Sequence, residues 1–155
     1  MARPRRVWPP IGWREWIALP GLGVEHIKVK VDTGARTSAL HAFDIELVQR
    51  RGQQLARFLV HPLQRDTVTT IQAEAPIVDW RRIKSSNGQV EQRPVIRTVL
   101  GILDDQHEID ITLTRRDEMG FRMLLGREAV RGHFFVDPGG SYYNGKPPMK
   151  HRRKQ

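Results

Sequence analysis

The sequence predicts an all-β protein, a compact barrel or closed sandwich, and three observations carry that expectation. Apolar residues recur at every second position: Ile27, Val29 and Val31 alternate with Lys28 and Lys30, and Ile109, Ile111 and Leu113 alternate with Asp110 and Thr112. A strand sends successive side chains to opposite faces, so this period marks strands with one face in a core. No long run keeps a helical stripe of apolar positions. Finally, Asn87-Gly88 lies between Ile83-Lys84 and Val90-Glu91. Asn-Gly is the preferred pair for a type I′ hairpin turn, which needs positive φ at both central positions.

Taken in chain order, the segment from Val7 to Leu22 is interrupted by Pro9, Pro10, Gly12, Arg14, Glu15 and Pro20. It lacks the unbroken apolar stretch that a signal peptide needs after the basic start Met1-Ala2-Arg3-Pro4-Arg5-Arg6, so a cytoplasmic protein is expected. Strands are expected at Ile27 to Val31, Ile45 to Val48, Leu55 to Val60, Val95 to Leu103, Ile109 to Leu113 and His133 to Val136. A short helix is expected from Arg127 to about Arg131, after the Gly126 turn. Asp137-Pro138-Gly139 reads as a turn, because Pro follows Asp and two glycines close it. The 155 residues suit one domain, residues 11–144, between basic tails at 1–10 and 145–155.

Composition narrows the chemistry. There is no cysteine, which excludes disulfides, thiolate zinc sites and a cysteine nucleophile. No apolar run is long enough to span a membrane as a helix. The net charge is +9, and part of the excess sits in Lys150-His151-Arg152-Arg153-Lys154. Such tails attract polyanions, so contact with nucleic acid or the ribosome is one expectation and plain solvation is the other.

Asp32 ends an alternating strand and is followed by Thr33-Gly34-Ala35. A carboxylate at a strand end, beside a glycine that lets backbone approach closely, can face a cleft from a tight loop. As a bare tripeptide, Asp-Thr-Gly is also an ordinary turn. Metal and nucleotide readings fail on their own terms. His107-Glu108 begins like His-Glu-x-x-His, but position 111 is Ile111 and the segment alternates like a strand, whereas that motif needs a helix. The six histidines are scattered, and although His41 is near Asp32 in sequence, hydrogen-bonded or surface histidines are the expectation and no metal is assigned. Gly140 to Lys146 mimics a phosphate loop, but Pro147 stands where Ser or Thr should bind magnesium. Gly21-Leu22-Gly23 precedes a strand, the wrong order for a dinucleotide fingerprint. No cofactor is expected.

Several motifs in order carry a resemblance. Val29 to Ala35, the Asn87-Gly88 hairpin and Met123-Leu124-Leu125-Gly126-Arg127 together resemble the retropepsin-like aspartic peptidases. Val31-Asp32-Thr33-Gly34-Ala35-Arg36-Thr37-Ser38-Ala39-Leu40-His41, Glu91 to Val95, Leu113 to Arg116 with Met119, Leu124 to Arg127 and Val136-Asp137-Pro138 resemble more closely the bacterial RimB-like family. Members of that family carry the misleading label "ATP-dependent zinc proteases". The resemblance covers about residues 11–140. It implies a retropepsin-like closed β-barrel with a flap hairpin and one short C-terminal helix. Asp32 would be the catalytic carboxylate, with Thr33, Gly34 and Ala35 supporting the loop and Asn87 and Gly88 at the flap turn. The segment ending in Gly126 would pack behind the catalytic loop.

That chemistry needs two carboxylates, one to take a proton from water and one to donate. Two aspartates about 3 Å apart cannot easily both ionise, so they share a proton and titrate as a pair. Asp-Thr-Gly occurs once here. A two-fold homodimer would bring the same residue to both sides of its axis. Arg81, Arg82, Lys84 and Arg93 flank the flap turn, and Arg36 and Arg127 lie in the two loop motifs. Arginine forks bind carboxylates bidentately, so these residues are the candidate contacts for an acidic peptide. The family resemblance implies the same, through its association with a ligase that adds glutamates to a ribosomal protein. The rival expectation is a non-enzymatic basic β-barrel that recruits an acidic protein or ribosomal RNA. Only Tyr142 and Tyr143 lie near the basic end, which gives weak support to a base-stacking surface.

Overall fold

The computed structural model describes residues 7–63, 69–84, 86–115 and 120–147. The tail residues 1–6 and 148–155, and Arg116 and Met119 of the family motif, lie outside them. The described residues form ten strands, a 3-10 turn at Pro20–Leu22 and one α-helical turn: β1 (Pro10–Leu19), β2 (Val24–Asp32), β3 (Ser38–His41), β4 (Phe43–Arg50), β5 (Gln53–Val60), β6 (Ile71–Lys84), β7 (Val90–Ile102), β8 (Asp105–Thr114), β9 (Met123–Gly126), α1 (Arg127–Val130) and β10 (Phe135–Ser141). The hydrogen-bonded order is β10-β1-β2-β9-β3-β8-β7-β6-β5-β4, and a further pairing joins β1 to β7 at Ala18 and Gly101. That last contact closes β1, β2, β9, β3, β8 and β7 into a six-stranded barrel. Its interior holds Ile17, Ile27, Val29, Leu40, Ile96, Leu100, Ile111, Leu113, Met123 and Leu125, all essentially inaccessible to water.

Outside the barrel, β7 carries β6 along its first half. The long strand β6 divides its pairing: Ile71 to Pro76 bond β5, and Ile77 to Lys84 bond β7. The register slips between Ile77 and Asp79, just after Pro76, which has no N–H to give a ladder. The second half of β6 and the start of β7 project as the expected hairpin, closed by the Lys84–Val90 pair. Its tip is not the type I′ turn the sequence suggests. Five residues separate Lys84 from Val90, and of the central pair only Gly88 takes a positive φ, 85°. Asn87 instead uses its side-chain oxygen to accept from the Gln89 N–H, 3.2 Å away. An Asx turn of this kind relieves Asn87 of the left-handed backbone.

The structure adds strand β1 to those expected and corrects one expected turn. The proline-broken segment from Val7 to Leu22 contains β1, which lies between β10 and β2 in the sheet. Its burial does not alternate, because Glu15 is fully buried beside Trp16 and Ile17, so the period of two is hidden. Asp137-Pro138-Gly139 is not a chain-reversing turn but the bulged middle of β10. The register along β1 jumps from Gly12–Asp137 to Arg14–Ser141. The bulge is held by Asp137 Oδ1, which accepts from the Gly139 N–H at 3.0 Å. Strand β10 also starts later than His133, because Phe134 N–H returns to the Val130 carbonyl at 3.0 Å to end the helical turn.

Candidate functional site

Asp32 is the last residue of β2, and its Cα partner is Gly126, the last residue of β9. Strands β2 and β9 run parallel, and β3 pairs antiparallel with the other edge of β9. The chain from Thr33 to Thr37 therefore steps across the end of β9 to begin β3. The crossing is close: a Cβ on Gly126 would stand 2.6 Å from the Thr37 carbonyl carbon and 2.9 Å from the Ser38 nitrogen. Only glycine allows the backbones to meet there.

Three layers of hydrogen bonding fix the loop. Within it, the Ala35 N–H donates to the Asp32 carbonyl and the Gly34 N–H to Asp32 Oδ1, both at 3.1 Å. Beneath it, the Gly126 N–H donates to the buried Ser38 hydroxyl at 3.0 Å. From the side, α1 presents its first N–H groups: Arg127 donates to the Ala35 carbonyl at 2.8 Å and Glu128 to the Arg36 carbonyl at 3.2 Å. The Arg127 guanidinium adds a bond to the Gly34 carbonyl at 3.1 Å. Asp32 is thus half-buried, with one carboxylate oxygen engaged by its own loop. Thr33 and Gly34 are exposed, and Ala35 is half-buried.

The candidate basic residues do not form one cluster. Arg36 and Arg81 line a cleft of about 470 Å³ between the loop and the base of the hairpin. Arg81 crosses it to donate to the Thr37 hydroxyl at 2.8 Å, tying the hairpin to the Asp32 loop. Arg97 lines the same cleft but is matched by Asp110, at 2.8 and 3.4 Å, and that carboxylate raises the already high pKa of the guanidinium. Asp79, Glu108 and Glu128 add negative charge along the wall. Arg82 and Lys84 are exposed further out on the hairpin, opposite Gln92 and Val90. Arg93 is mostly covered and pairs with Glu91 at 3.6 Å. Arg127, as above, braces the loop from the side. His41 stands at the far end of β3, opposite Thr114.

Sequence reasoning did not find Thr37 and Ser38 as loop partners, because neither hydroxyl has a local signature. Nor did it find the Glu15 anchor. This carboxylate is fully buried and accepts from the backbone N–H groups of Gly12 at 2.6 Å and of Tyr143 and Asn144 at 2.9 Å each. The Asn144 amide bonds the Trp16 carbonyl at 2.7 Å, and its oxygen accepts from the Leu103 N–H at 2.6 Å. Together they bind the segment after β10 to β1 and to the β7–β8 turn. The only prior signal was a glutamate inside an apolar stretch, Glu15 before Trp16 and Ile17.

Comparison with known proteins places this geometry in a family. The sequence profile described as "RimB-like: Retropepsin-like aspartic endopeptidase RimB" matches residues 10–147. A protein of Shewanella halifaxensis named probable alpha-L-glutamate ligase is 46% identical over 136 residues, which is 88% of this chain and 30% of that protein. One of the same name from Parasynechococcus marenigrum is 47% identical over 135 residues, 87% of this chain and 29% of that protein. The chain thus spans about 30% of the length of the curated relatives it matches. A crystal structure of a Legionella pneumophila protein of unknown function superimposes with a TM-score of 0.73 at 26% identity, covering 88% of this chain and 98% of that one. With the profile match running from the start of β1 to Pro147, the chain belongs to the RimB-like family of retropepsin-like aspartic endopeptidases.

Proposed function

We propose that the chain hydrolyses peptide bonds with an aspartate-activated water, at a dyad formed by Asp32 and the Asp32 of a second copy. The observation that carries this reading is the loop from Asp32 to Thr37, clamped between β2, Gly126 and α1, with a half-buried carboxylate at its start. One copy supplies one such carboxylate, and the chemistry needs two that share a proton. In the dimer, one ionised Asp32 takes the proton of water as oxygen attacks the carbonyl. The protonated partner donates to the departing nitrogen, and no covalent intermediate forms. Thr33, exposed at the loop surface, is the residue to brace the pair across the axis.

An acidic, glutamate-rich peptide is the proposed substrate. The relatives named probable alpha-L-glutamate ligase support it, because they carry a segment 46–47% identical to this chain alongside a much longer remainder. Arg36, exposed at the cleft, and Arg82 and Lys84 on the hairpin are the cations best placed to meet such a peptide. A purely polyanion-binding role is less well supported. Tyr142, the aromatic that could stack on a base, is already faced by Arg14 and Lys146, each 4.9 Å from the ring centroid. Sedimentation together with cleavage of glutamate-rich and mixed peptides tests the proposal. Asp32→Asn should leave the dimer intact and lower cleavage by about 10²–10⁴-fold, the usual worth of a positioned acid–base group. Intact cleavage by that variant, or a strictly monomeric active protein, would overturn the dyad. Equal, salt-insensitive rates on glutamate-rich and neutral peptides would overturn the substrate class alone.

A further inference from the structure

We propose that Asp105, His107 and His133 form a binding site for a divalent cation of the zinc class, behind the helical turn that supports the catalytic loop. The three side chains come from the start of β8 and the turn after α1, 28 residues apart at the extremes, and their ligand atoms all lie within 4.8 Å of one another. His133 Nδ1 is 2.8 Å and His107 Nδ1 3.4 Å from the same oxygen, Asp105 Oδ2. Ligands about 2.0–2.1 Å from a tetrahedral metal stand roughly 3.3 Å apart, so these separations bracket the required edge.

The protonation pattern points to a missing positive charge. His107 Nε2 lies 2.9 Å from the Ala129 carbonyl, which can only accept, so Nε2 carries a proton. In the neutral ring Nδ1 is then a bare lone pair. It is buried, has no hydrogen-bond partner and faces a carboxylate oxygen. Two lone pairs facing each other in a poorly solvated spot repel unless a proton or a metal cation lies between them. A histidine whose other N–H is held by a backbone carbonyl is also the usual arrangement of a metal-ligating imidazole. Two nitrogens and one carboxylate oxygen suit zinc with water in the fourth position. The rings of His107 and His133 are stacked, 3.6 Å apart and 5° from parallel, so capture requires one to tilt. His133, about a third exposed, is the one with room to do so.

The placement gives the site a structural role. His107 grips α1 through the Ala129 carbonyl, and the first residue of α1 donates to Ala35 of the catalytic loop. A metal here would lock the β7–β8 turn to the back of that support. The proposal does not rest on the peptidase reading. To test it, chelator-stripped full-length chain is titrated with zinc chloride by calorimetry and thermal melting. One zinc should bind per chain at micromolar affinity or tighter and raise the melting temperature. Asp105→Asn and His133→Ala should weaken binding by about 100-fold or more, a loss at least that of an outer partner, while His61→Gln should not. Should either variant misfold, NMR of the wild-type imidazoles decides: zinc should move the resonances of His107 and His133 first. Absence of one-to-one binding, unchanged affinity in folded variants, or a response confined to other histidines would overturn the site.

Discussion

At the scale of single residues, the candidate site depends on a glycine as much as on the aspartate. The loop that begins at Asp32 can cross the end of β9 only because the backbone of Thr37 and Ser38 meets a glycine, Gly126. Gly126→Ala would drive a methyl group into main-chain atoms that cannot move aside. We expect a loss of roughly 2–3 kcal/mol in denaturant unfolding, the usual scale of overpacking, and a fall in cleavage because the Asp32 loop is displaced. Normal stability in that variant would contradict the crossing geometry. Arg127 is the residue whose role shifts most. The sequence suggests it for substrate contact, yet one of its N–H groups already holds the Gly34 carbonyl. Arg36, on the cleft wall, keeps its place in the proposed substrate contact.

At the scale of elements, the segment after β10 acts as a strap across the barrel. Glu15→Ala would leave the Gly12, Tyr143 and Asn144 N–H groups without their buried acceptor. At about 1–3 kcal/mol for each unsatisfied group, partly recovered by water, a loss of at least about 3 kcal/mol is expected in chemical denaturation. The contact between Tyr143 of the strap and Asp137 of β10 is expected to respond to pH. Tyr143 donates to Asp137 Oδ2 at 2.5 Å. This bond, with the Gly139 N–H, lowers the Asp137 pKa below its ordinary 3.8, and it raises the Tyr143 pKa above 10.0. A depressed carboxylate stabilises the fold above its unfolded pKa and loses that effect as pH falls through the folded value. A raised phenol stabilises below its unfolded pKa and loses the effect as pH rises through the folded value. The melting-temperature gap between wild type and Tyr143→Phe should therefore be widest between the two ordinary values, 3.8 and 10.0, and narrow as pH falls below 3.8. A gap as wide well below pH 3.8 as at neutral pH would remove this bond from the stability of the strap.

At the scale of the whole molecule, the barrel presents one Asp32, and the proposed activity follows assembly. Specific activity should rise with chain concentration and level off once dimers predominate. It should follow the dimer fraction seen by sedimentation. Mixing wild type with excess Asp32→Asn should suppress activity below simple dilution, because mixed dimers carry a defective dyad. Activity strictly proportional to chain concentration down to the monomer range would rule that architecture out. Among the described residues no helix is long and apolar enough to cross a membrane.

Much of this was legible in the chain, and the division follows the range of the interactions. Period-two alternation marks β2 and β8 because each has one face in the core, and the apolar runs at Leu55 to Val60 and Val95 to Ile102 are strands for the same local reason, the second ending one residue before the expected Leu103. The short helix after Gly126, the hairpin around Asn87-Gly88 and the Asp32 loop could also be read, because turn residues and ordered motifs act within a few positions. Strand β1 could not, since Glu15 interrupts its pattern and is satisfied by N–H groups over 120 residues away as well as by Gly12. The bulge in β10 was hidden for a related reason: Asp-Pro-Gly is turn chemistry until a neighbouring strand holds it extended. The sequence by itself determined an all-β chain of the RimB-like kind with one candidate aspartate. Only the tertiary structure decided which arginines reach the cleft, that Gly126 is a crossing point, and that Asp105, His107 and His133 converge. Those are contacts between segments far apart in the chain, and no local propensity encodes them.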